Sequence, residues 1–262
     1  MDLGLRGRVA LVAAGSKGLG LAVAQELAAE GAAVGICARG ADALTRAVDG
    51  MRASGARVHG VVADVTAADD IARTVHEVTT TLGPIDILVT NSGGPRSGRF
   101  ESISASDWDD AARVLLTSAV SFTRAVLPGM RERRWGRILN VTSIAAKQPV
   151  DGLMLSNSLR AAVIAFARTL ANEVAADGIT VNNLLPGYTR TDRVIDLSTQ
   201  VSQRESVPVD AVYERWEREI PMRRLGEPKE FAALAAFLAS ERASYITGQS
   251  IAVDGGWIKS ML

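Results

Sequence analysis

Hydroxyl and cationic side chains lie close together in the second half of the chain. Ser143 follows an apolar run, and LSNSLRAAV (155–163) supplies Ser156 and Arg160 at the start of an amphipathic segment. A hydroxyl can polarise a carbonyl group, whereas a guanidinium keeps its charge and cannot shuttle protons. The three adjacent hydrogen-bonding side chains at 156–158 also suit a small polar ligand. These residues are candidates for binding and polarising a small-molecule substrate.

A second candidate site lies near the start of the chain, where an apolar run leads into AAGSKGLG (13–20) and a helical pattern follows. Glycines permit a tight turn and close approach of backbone to a pyrophosphate, and a helix N-terminus offers free N–H groups. Glycine can also serve only to turn the chain, so the motif's place at the first strand–helix junction is what favours nucleotide binding. The candidates are Gly15, Ser16, Lys17, Gly18, Leu19 and Gly20.

Two cations indicate which dinucleotide this turn would bind. Arg39 ends the second apolar run, where an acid would hydrogen-bond a ribose 2′-hydroxyl and an arginine can pair with a 2′-phosphate. Lys17 adds a second positive charge inside the glycine turn. Arg39 could also be a solvated surface charge. Together the two residues favour NADP(H) over NAD(H).

Apolar, β-rich runs alternate with amphipathic stretches along the chain, as at 18–31, 69–83 and 158–178. This alternation predicts an α/β fold: a Rossmann-type, doubly wound parallel sheet of about seven strands with helices on both faces. The chain reads as one domain over 1–262, with a polar insertion at about 189–228 that is a candidate substrate lid. The predicted strands are 8–14, 32–38, 56–64, 86–91, 136–143, 179–185 and 250–256.

Composition limits the other classes of function. The formal net charge is zero, so there is no electrostatic case for nucleic acid or an anionic membrane as partner. No apolar run is long enough to cross a bilayer, and the first residues do not resemble a signal peptide, so we expect a cytoplasmic protein. The single cysteine, Cys37, reads as a buried thiol, and the two separated histidines make a metal site unlikely on sequence grounds.

Several further motifs occur in a recognisable order: ADV (63–65), DILVTNSGG (86–94), GRILNVTS (136–143), VNNLLPGYTRT (181–191) and ITGQSIAVDGG (246–256). With the glycine turn, they make the sequence resemble the short-chain dehydrogenase/reductase family, especially its β-ketoacyl carrier-protein reductase-like members. The resemblance covers nearly the whole chain. It implies an NADP(H)-linked oxidoreductase that forms a homodimer or homotetramer.

The resemblance also assigns roles to individual residues. Asp64 and Val65 would face adenine, Asn91 and Gly93 would line the cofactor cleft, and Arg160 would bind cofactor ribose hydroxyls. The segment after the sixth predicted strand would hold the nicotinamide carboxamide through Pro186, Gly187, Thr189 and Thr191. The helix that follows 155 would pair with its symmetry mate, so the stretch could be retained for an interface alone.

The chain differs from the family at the positions of the catalytic residues. The family's catalytic Asn, Ser, Tyr and Lys correspond here to Leu115, Ser143, Ser156 and Arg160. Losing a positioned general acid typically lowers a rate by about 10²–10⁴. The standard proton relay is therefore not expected to operate.

The glycine motif departs as well. Ala13 and Ala14 occupy its first two positions, and Gly15 lies one residue late. If the turn needs positive φ at Ala14, the strain would be about 1–2 kcal/mol, unless the turn shifts to use Gly15. Thr90 replaces the first Asn of the later motif.

Three residues could replace the missing acid. Tyr188 is the best-placed phenol, since it follows Pro186 and Gly187 beside the expected nicotinamide site. Lys147 lies shortly after Ser143, and Asp151 precedes the helix that carries Ser156. Each has a simpler interpretation: Tyr188 packs under the lid, Lys147 is solvated, and Asp151 caps a helix.

The leading hypothesis is an NADP(H)-linked carbonyl or alcohol oxidoreductase with a non-standard active site. The alternative is a non-redox protein on the same scaffold, either a lyase, isomerase or cyclase that uses Ser143, Ser156 and Arg160, or a catalytically silent protein that senses cofactor. A third possibility is an oligomer-forming partner of an active relative. Fold does not decide among them.

Overall fold

The computed structural model describes residues 2–260. Seven parallel strands form one sheet in the order β3-β2-β1-β4-β5-β6-β7, which confirms the predicted fold class. Six strands are one to four residues shorter than the predicted apolar runs, because those runs extend beyond the hydrogen-bonded part of the sheet. The sixth strand is one residue longer than predicted. The strands are β1 Val9–Val12, β2 Ala33–Ala38, β3 Val58–Val62, β4 Ile87–Thr90, β5 Gly136–Val141, β6 Ile179–Pro186 and β7 Ser250–Val253.

Helices cover both faces of this sheet. Residues of α1, α2 and α9 pack on one face, and residues of α3, α5 and α6 pack on the other. Because both faces are covered, nearly every residue of the central strands is buried. This explains why these strands are apolar throughout and do not alternate apolar with polar residues. The helices are α1 Gly18–Ala29, α2 Ala41–Ala53, α3 Ala68–Leu82, α4 Ala105–Ala112, α5 Ser118–Arg133, α6 Met154–Val174, α7 Asp192–Glu205, α8 Val209–Glu219 and α9 Pro228–Ala239.

The strand order reverses between β1 and β4, which are neighbours in the sheet. In open α/β sheets, loops leaving the carboxyl ends of the strands on either side of such a point diverge and leave a crevice. The loops after β1, β4, β5 and β6 therefore surround one region, and these loops carry the motifs that the sequence singled out.

A row of buried polar side chains crosses the sheet just below that crevice. Thr90 Oγ1 donates to Asn140 Oδ1 at 2.7 Å, Asn140 Nδ2 donates to Asn183 Oδ1 at 3.2 Å, and Asn183 Nδ2 donates to Ser250 Oγ at 3.0 Å. These residues are register partners on β4 to β7. Thr90, which departs from the family motif, is thus satisfied within this row.

Two elements differ from expectation. Helix α6 begins at Met154, four residues before the predicted 158, and its N-cap is Leu153, so Asp151 does not cap it. The polar insertion, for which the sequence predicted no secondary structure, contains two helices: α7 and α8 pack around buried Val201, Val212 and Trp216. Their outer faces are exposed, which explains the polar composition. The buried Cys37 agrees with its predicted role, since burial raises the pKa of its thiol to about 11.

Candidate active site

The glycine turn takes up positive φ at an alanine, at the position where the family that the sequence resembles has a glycine. Ala14 adopts φ +48°, the left-handed region, whereas Gly15 does not have positive φ. The turn therefore accepts strain at Ala14 and does not shift to Gly15. Gly15 serves packing instead, because a Cβ there would lie 2.8 Å from Ile36 Cγ2.

The last two glycines of the turn open the start of α1. Gly18 has φ +58° and begins the helix. A Cβ on Gly20 would lie 2.4 Å from the Ala14 carbonyl oxygen and 2.7 Å from Asn91 Nδ2. Asn91 Nδ2 also donates to that carbonyl at 3.3 Å, so the turn and the β4 loop are held together. The first turn of α1 then faces the crevice with its N–H groups exposed to a ligand.

One cleft of about 450 Å³ joins the loops at this edge of the sheet. Its volume lies in the range of small-molecule sites. It brings together fourteen of the predicted site residues, including all four catalytic candidates. They are Lys17, Gly18, Leu19, Arg39, Asn91, Gly93, Ser143, Ser156, Arg160, Pro186, Gly187, Tyr188, Thr189 and Thr191.

The remaining predicted residues lie outside the lining of this cleft: Gly15, Ser16, Gly20, Asp64 and Val65. Asp64 Oδ1 accepts hydrogen bonds from the backbone N–H and the hydroxyl of Thr66, which hold the pKa of the carboxyl below its usual value. The positive charge of Arg39 contributes to the same shift. Asp64 and Arg39 are therefore near each other, at the end of the cleft that Arg39 lines.

Ser143, Ser156 and Arg160 form the inner end of the cleft. Arg160 Nε donates to Ser156 Oγ at 3.2 Å, and Arg160 Nη1 donates to the carbonyl oxygens of Val141 and Thr142 at 3.1 and 2.7 Å. Ser143 Oγ accepts from the Ala145 backbone N–H at 3.1 Å. The i, i+4 spacing on α6 aligns Ser156 with Arg160. The two residues are a connected pair beside the carboxyl end of β5.

Arg160 is a cation without an acidic partner. No carboxylate lies within 4.0 Å of it in the described part of the chain. Burial, and then the charge of Arg193, lower its pKa to about 10. The guanidinium remains protonated at neutral pH, so it offers charge and N–H donors but no proton transfer.

Leu115, at the family asparagine position, lies in a π-helical turn spanning Arg113–Thr117. It is 5% exposed and borders a void of about 10 Å³ shared with Arg160 and Ser118. Ser118 Oγ donates to the Val114 carbonyl, a bond that supports the turn. The distorted backbone is present although the polar side chain is absent.

The three candidate replacement acids are placed differently. Tyr188 lines the cleft but stacks on Trp216 with ring centroids 4.5 Å apart, beneath the α7–α8 segment. Burial, and then the charge of Glu219, raise the pKa of its phenol to about 12, so it is a weak acid. Lys147 is exposed and does not line the cleft, and Asp151 lines a neighbouring groove instead.

Sequence reasoning missed the charged residues that the insertion places over the cleft. Asp192, Arg193 and Asp196, all in the first turns of α7, line it, and Asp192 lies 3.9 Å from Lys17 Nζ. Arg193 Nη2 donates to the Pro95 carbonyl at 3.3 Å, across the cleft mouth. Nothing in a polar stretch distinguishes these residues from its solvated ones, so no sequence signal could have identified them.

Two other classes of site find no support in residues 2–260. No group of three or more histidine, cysteine, aspartate or glutamate side chains could hold a metal ion there. None of the helices in that range is long and apolar enough to cross a membrane.

Known proteins resemble the chain in both sequence and fold. Residues 13–258 match the family described as "Enoyl-(Acyl carrier protein) reductase". The 3-oxoacyl-[acyl-carrier-protein] reductase FabG of Aquifex aeolicus is 34% identical over 257 residues, which is 98% of this chain and 99% of that protein. Dehydrogenase/reductase SDR family member 4 of Oryctolagus cuniculus is 37% identical over 253 residues, which is 96% of this chain and 94% of that protein.

Among solved structures, L-sorbose reductase from Gluconobacter frateurii, complexed with NADPH and L-sorbose, superposes with a TM-score of 0.94. It is 34% identical, and all of both chains is covered. The predicted family is confirmed by these matches over nearly the full length. The chain belongs to the short-chain dehydrogenase/reductase family of oxidoreductases.

Proposed function

We propose that the protein is an NADP(H)-linked carbonyl reductase or alcohol dehydrogenase that works without the family's tyrosine and lysine. The observation that carries this proposal is the single cleft. It joins the glycine turn, Lys17 and Arg39 to Ser143, Ser156 and Arg160. A protein that only bound a partner would not need these two groups in one cavity.

The chain's residues fit a dinucleotide phosphate. Gly20 leaves room beside the Ala14 carbonyl that a Cβ would fill, and the α1 N-terminus supplies positive potential for a pyrophosphate. Lys17 and Arg39 are both solvent-exposed cations on the cleft, as a 2′-phosphate requires. NADPH is the cofactor in the L-sorbose reductase complex, which supports the same choice.

Bound NADPH would supply a hydride, and the substrate oxygen would then need stabilisation and a proton. Ser143 can donate a hydrogen bond to that oxygen, because its own oxygen already accepts from Ala145. Arg160 supplies positive charge beside it, held in place by Ser156 and two carbonyls. Such preorganised donors are commonly the largest contribution to catalysis. Tyr188 stays a predicted proton donor, although its raised pKa favours water in that role.

Isothermal titration calorimetry of the cofactor-free protein with NADPH and NADH tests this proposal. We expect micromolar NADPH binding and weaker NADH binding. Arg39→Gln should weaken NADPH binding by roughly tenfold or more, because a charge-assisted contact is lost, and leave NADH binding unchanged. Arg46→Gln is the matched control, an exposed arginine on α2 that does not line the cleft.

If the folded protein bound neither cofactor, the proposal would be contradicted and the non-redox alternatives would be favoured.

A second experiment concerns the source of the proton. Tyr188→Phe should leave the rate of NADPH oxidation with an accepted substrate nearly unchanged if water supplies the proton. A loss of that rate of 10²-fold or more would assign the proton to Tyr188. The homodimer or homotetramer and the cytoplasmic location stay predictions.

A further inference from the structure

The inner end of the cleft presents hydrogen-bond donors and few acceptors. Ser156 Oγ accepts from Arg160 Nε, and Ser143 Oγ accepts from the Ala145 N–H, so both hydroxyl hydrogens are free to point elsewhere. Arg160 Nη2 makes no hydrogen bond within residues 2–260, while Nε and Nη1 are fully used. A guanidinium has no acceptor atom. The complementary ligand group is therefore one that accepts hydrogen bonds and donates none, and a carboxylate is such a group.

Charge leads to the same group. The lining of the cleft carries four cations, Lys17, Arg39, Arg160 and Arg193, and two carboxylates, Asp192 and Asp196, a balance of +2 in a protein of formal net charge zero. Lys17 and Arg39 belong to the cofactor end, and Asp192 lies beside Lys17. The charge of Asp196 acts on Arg193. Arg160 alone is left without an acid, and its strongest charged neighbour is a second arginine.

Space allows a ligand to reach it. Serine at position 156 occupies much less volume than the tyrosine that the family carries there. Both Ser156 and Arg160 consequently line the open cleft, together with the apolar side chains of Ile144, Val150 and Leu153. A small molecule with one charged end and an apolar body would fit this lining.

Arg193 extends the charge onto the lid. It lies in the first turn of α7, where the helix dipole disfavours a cation, and its Nε lies 2.7 Å from the position of a Cβ built on Gly94. It thus crosses the mouth of the cleft from α7 toward the loop after β4. The charge of Arg193 acts on Arg160, so an anion bound near both would reduce their repulsion.

We infer that the substrate is an oxo acid, whose carboxylate binds Arg160, Ser156 and the lid residue Arg193 while Ser143 holds the neighbouring carbonyl oxygen. This inference rests on the proposed function and names its substrate class. Ser143 and Ser156 line the same cleft, so the inference covers 2-oxo and 3-oxo acids, in which the carbonyl and the carboxylate are close together. In reduction, the carbonyl carbon gains the cofactor's hydride and its oxygen gains a proton from water, which yields the hydroxy acid.

The test compares matched acids and esters. Phenylpyruvate and acetoacetate, each beside its methyl ester, are titrated calorimetrically into the protein saturated with NADP⁺, and NADPH consumption is measured separately. We expect each acid to bind roughly 10- to 100-fold more tightly than its ester, the range of a charge-assisted hydrogen bond. Equal affinity for acid and ester with both pairs would overturn the inference.

Variants assign the effect to residues. Arg193→Gln, an exposed position that is expected to fold, and Arg160→Gln should each lower the acid-to-ester ratio by roughly tenfold or more. Arg193→Lys should retain most of it. Arg168→Gln, on the outer part of α6, is the control that should leave the ratio unchanged.

Three outcomes distinguish a failure of the substrate class from a failure of the proposed function. If NADPH does not bind, the proposed function fails and the substrate class falls with it. If NADPH binds but the acids have no advantage over the esters, only the substrate class is wrong. If Arg193→Gln weakens NADPH binding and leaves the acid-to-ester ratio intact, Arg193 contacts the cofactor pyrophosphate and the two-arginine site is refuted.

Discussion

Two arginines lie near opposite ends of β5, and their surroundings differ. Arg137, at the amino end, is 2% exposed and lies 3.5 Å from a Glu241 carboxylate oxygen. Its guanidinium stacks 4.3 Å from the Trp135 ring centroid and donates to the Ser240, Gly136 and Gly178 carbonyls. Arg160, at the carboxyl end, has hydrogen bonds but no acid.

The difference separates a structural charge from a functional one. Buried charges in stable regions are paired, because an unpaired charge loses its hydration without compensation. Arg137 meets that requirement inside the protein. Arg160 would meet it only with a ligand, and the strained Ala14 lies at the same edge of the sheet. Strain and unpaired charge concentrated at one edge are typical of a binding site.

Among the substitutions that test this comparison, Glu241→Gln should have the largest effect on the free energy of unfolding. It leaves Arg137 buried without a negative partner, and we expect the free energy of unfolding to fall by about 2–3 kcal/mol, less than for a fully buried pair because Glu241 is half exposed. Urea denaturation measures the change. Asp177→Asn, which removes a surface partner of Arg131 and Arg134, is the control and should change it by less than about 1 kcal/mol.

Ala14→Gly should act in the opposite direction. Glycine adopts φ +48° without strain, so the free energy of unfolding should rise by about 1 kcal/mol after allowance for the greater flexibility of the unfolded chain. Thermal denaturation and NADPH titration both report the change. Lower stability would mean that contacts of the Ala14 methyl group outweigh the strain.

Arg160→Met removes the unpaired charge while keeping a similar side-chain length. The lost hydrogen bonds and the relieved desolvation oppose one another, so we expect the free energy of unfolding to change by no more than about 1 kcal/mol. Binding of the oxo acids should nevertheless be lost. A destabilisation as large as that of Glu241→Gln would show that both arginines are structural.

Tyr188 gives the smallest effect at neutral pH, and absorbance spectroscopy measures it. Its phenol should ionise near pH 12, seen as the step in absorbance at 295 nm that Tyr188→Phe removes. Because the folded pKa is above the unfolded value, the unfolded state loses its proton first, and this residue's contribution to stability falls as the pH rises from about 10 to 12. Ionisation below pH 10 would instead indicate a phenol activated by a nearby cation.

The sequence by itself determined the fold class, the order of the elements and most of the predicted residues that line the cleft. Apolar runs and helical periodicity are local patterns, and glycine spacing records a local backbone demand, so each can be read without knowing the chain's path. The spacing of Ser156 and Arg160 after Ser143 is a local pattern too, and it is what predicts that the family's tyrosine and lysine are replaced.

Only the tertiary structure decided what these residues became. Whether Arg160 has an acidic partner depends on carboxylates far away in sequence, and Arg193 and Asp196 reach the cleft only because α7 folds over it. Arg137 and its partner Glu241 are more than 100 residues apart in the sequence, and only the fold brings them together. Two charges compensate each other when they are a few ångströms apart in space, whatever their separation along the chain. Local sequence patterns therefore could not predict which charges are paired.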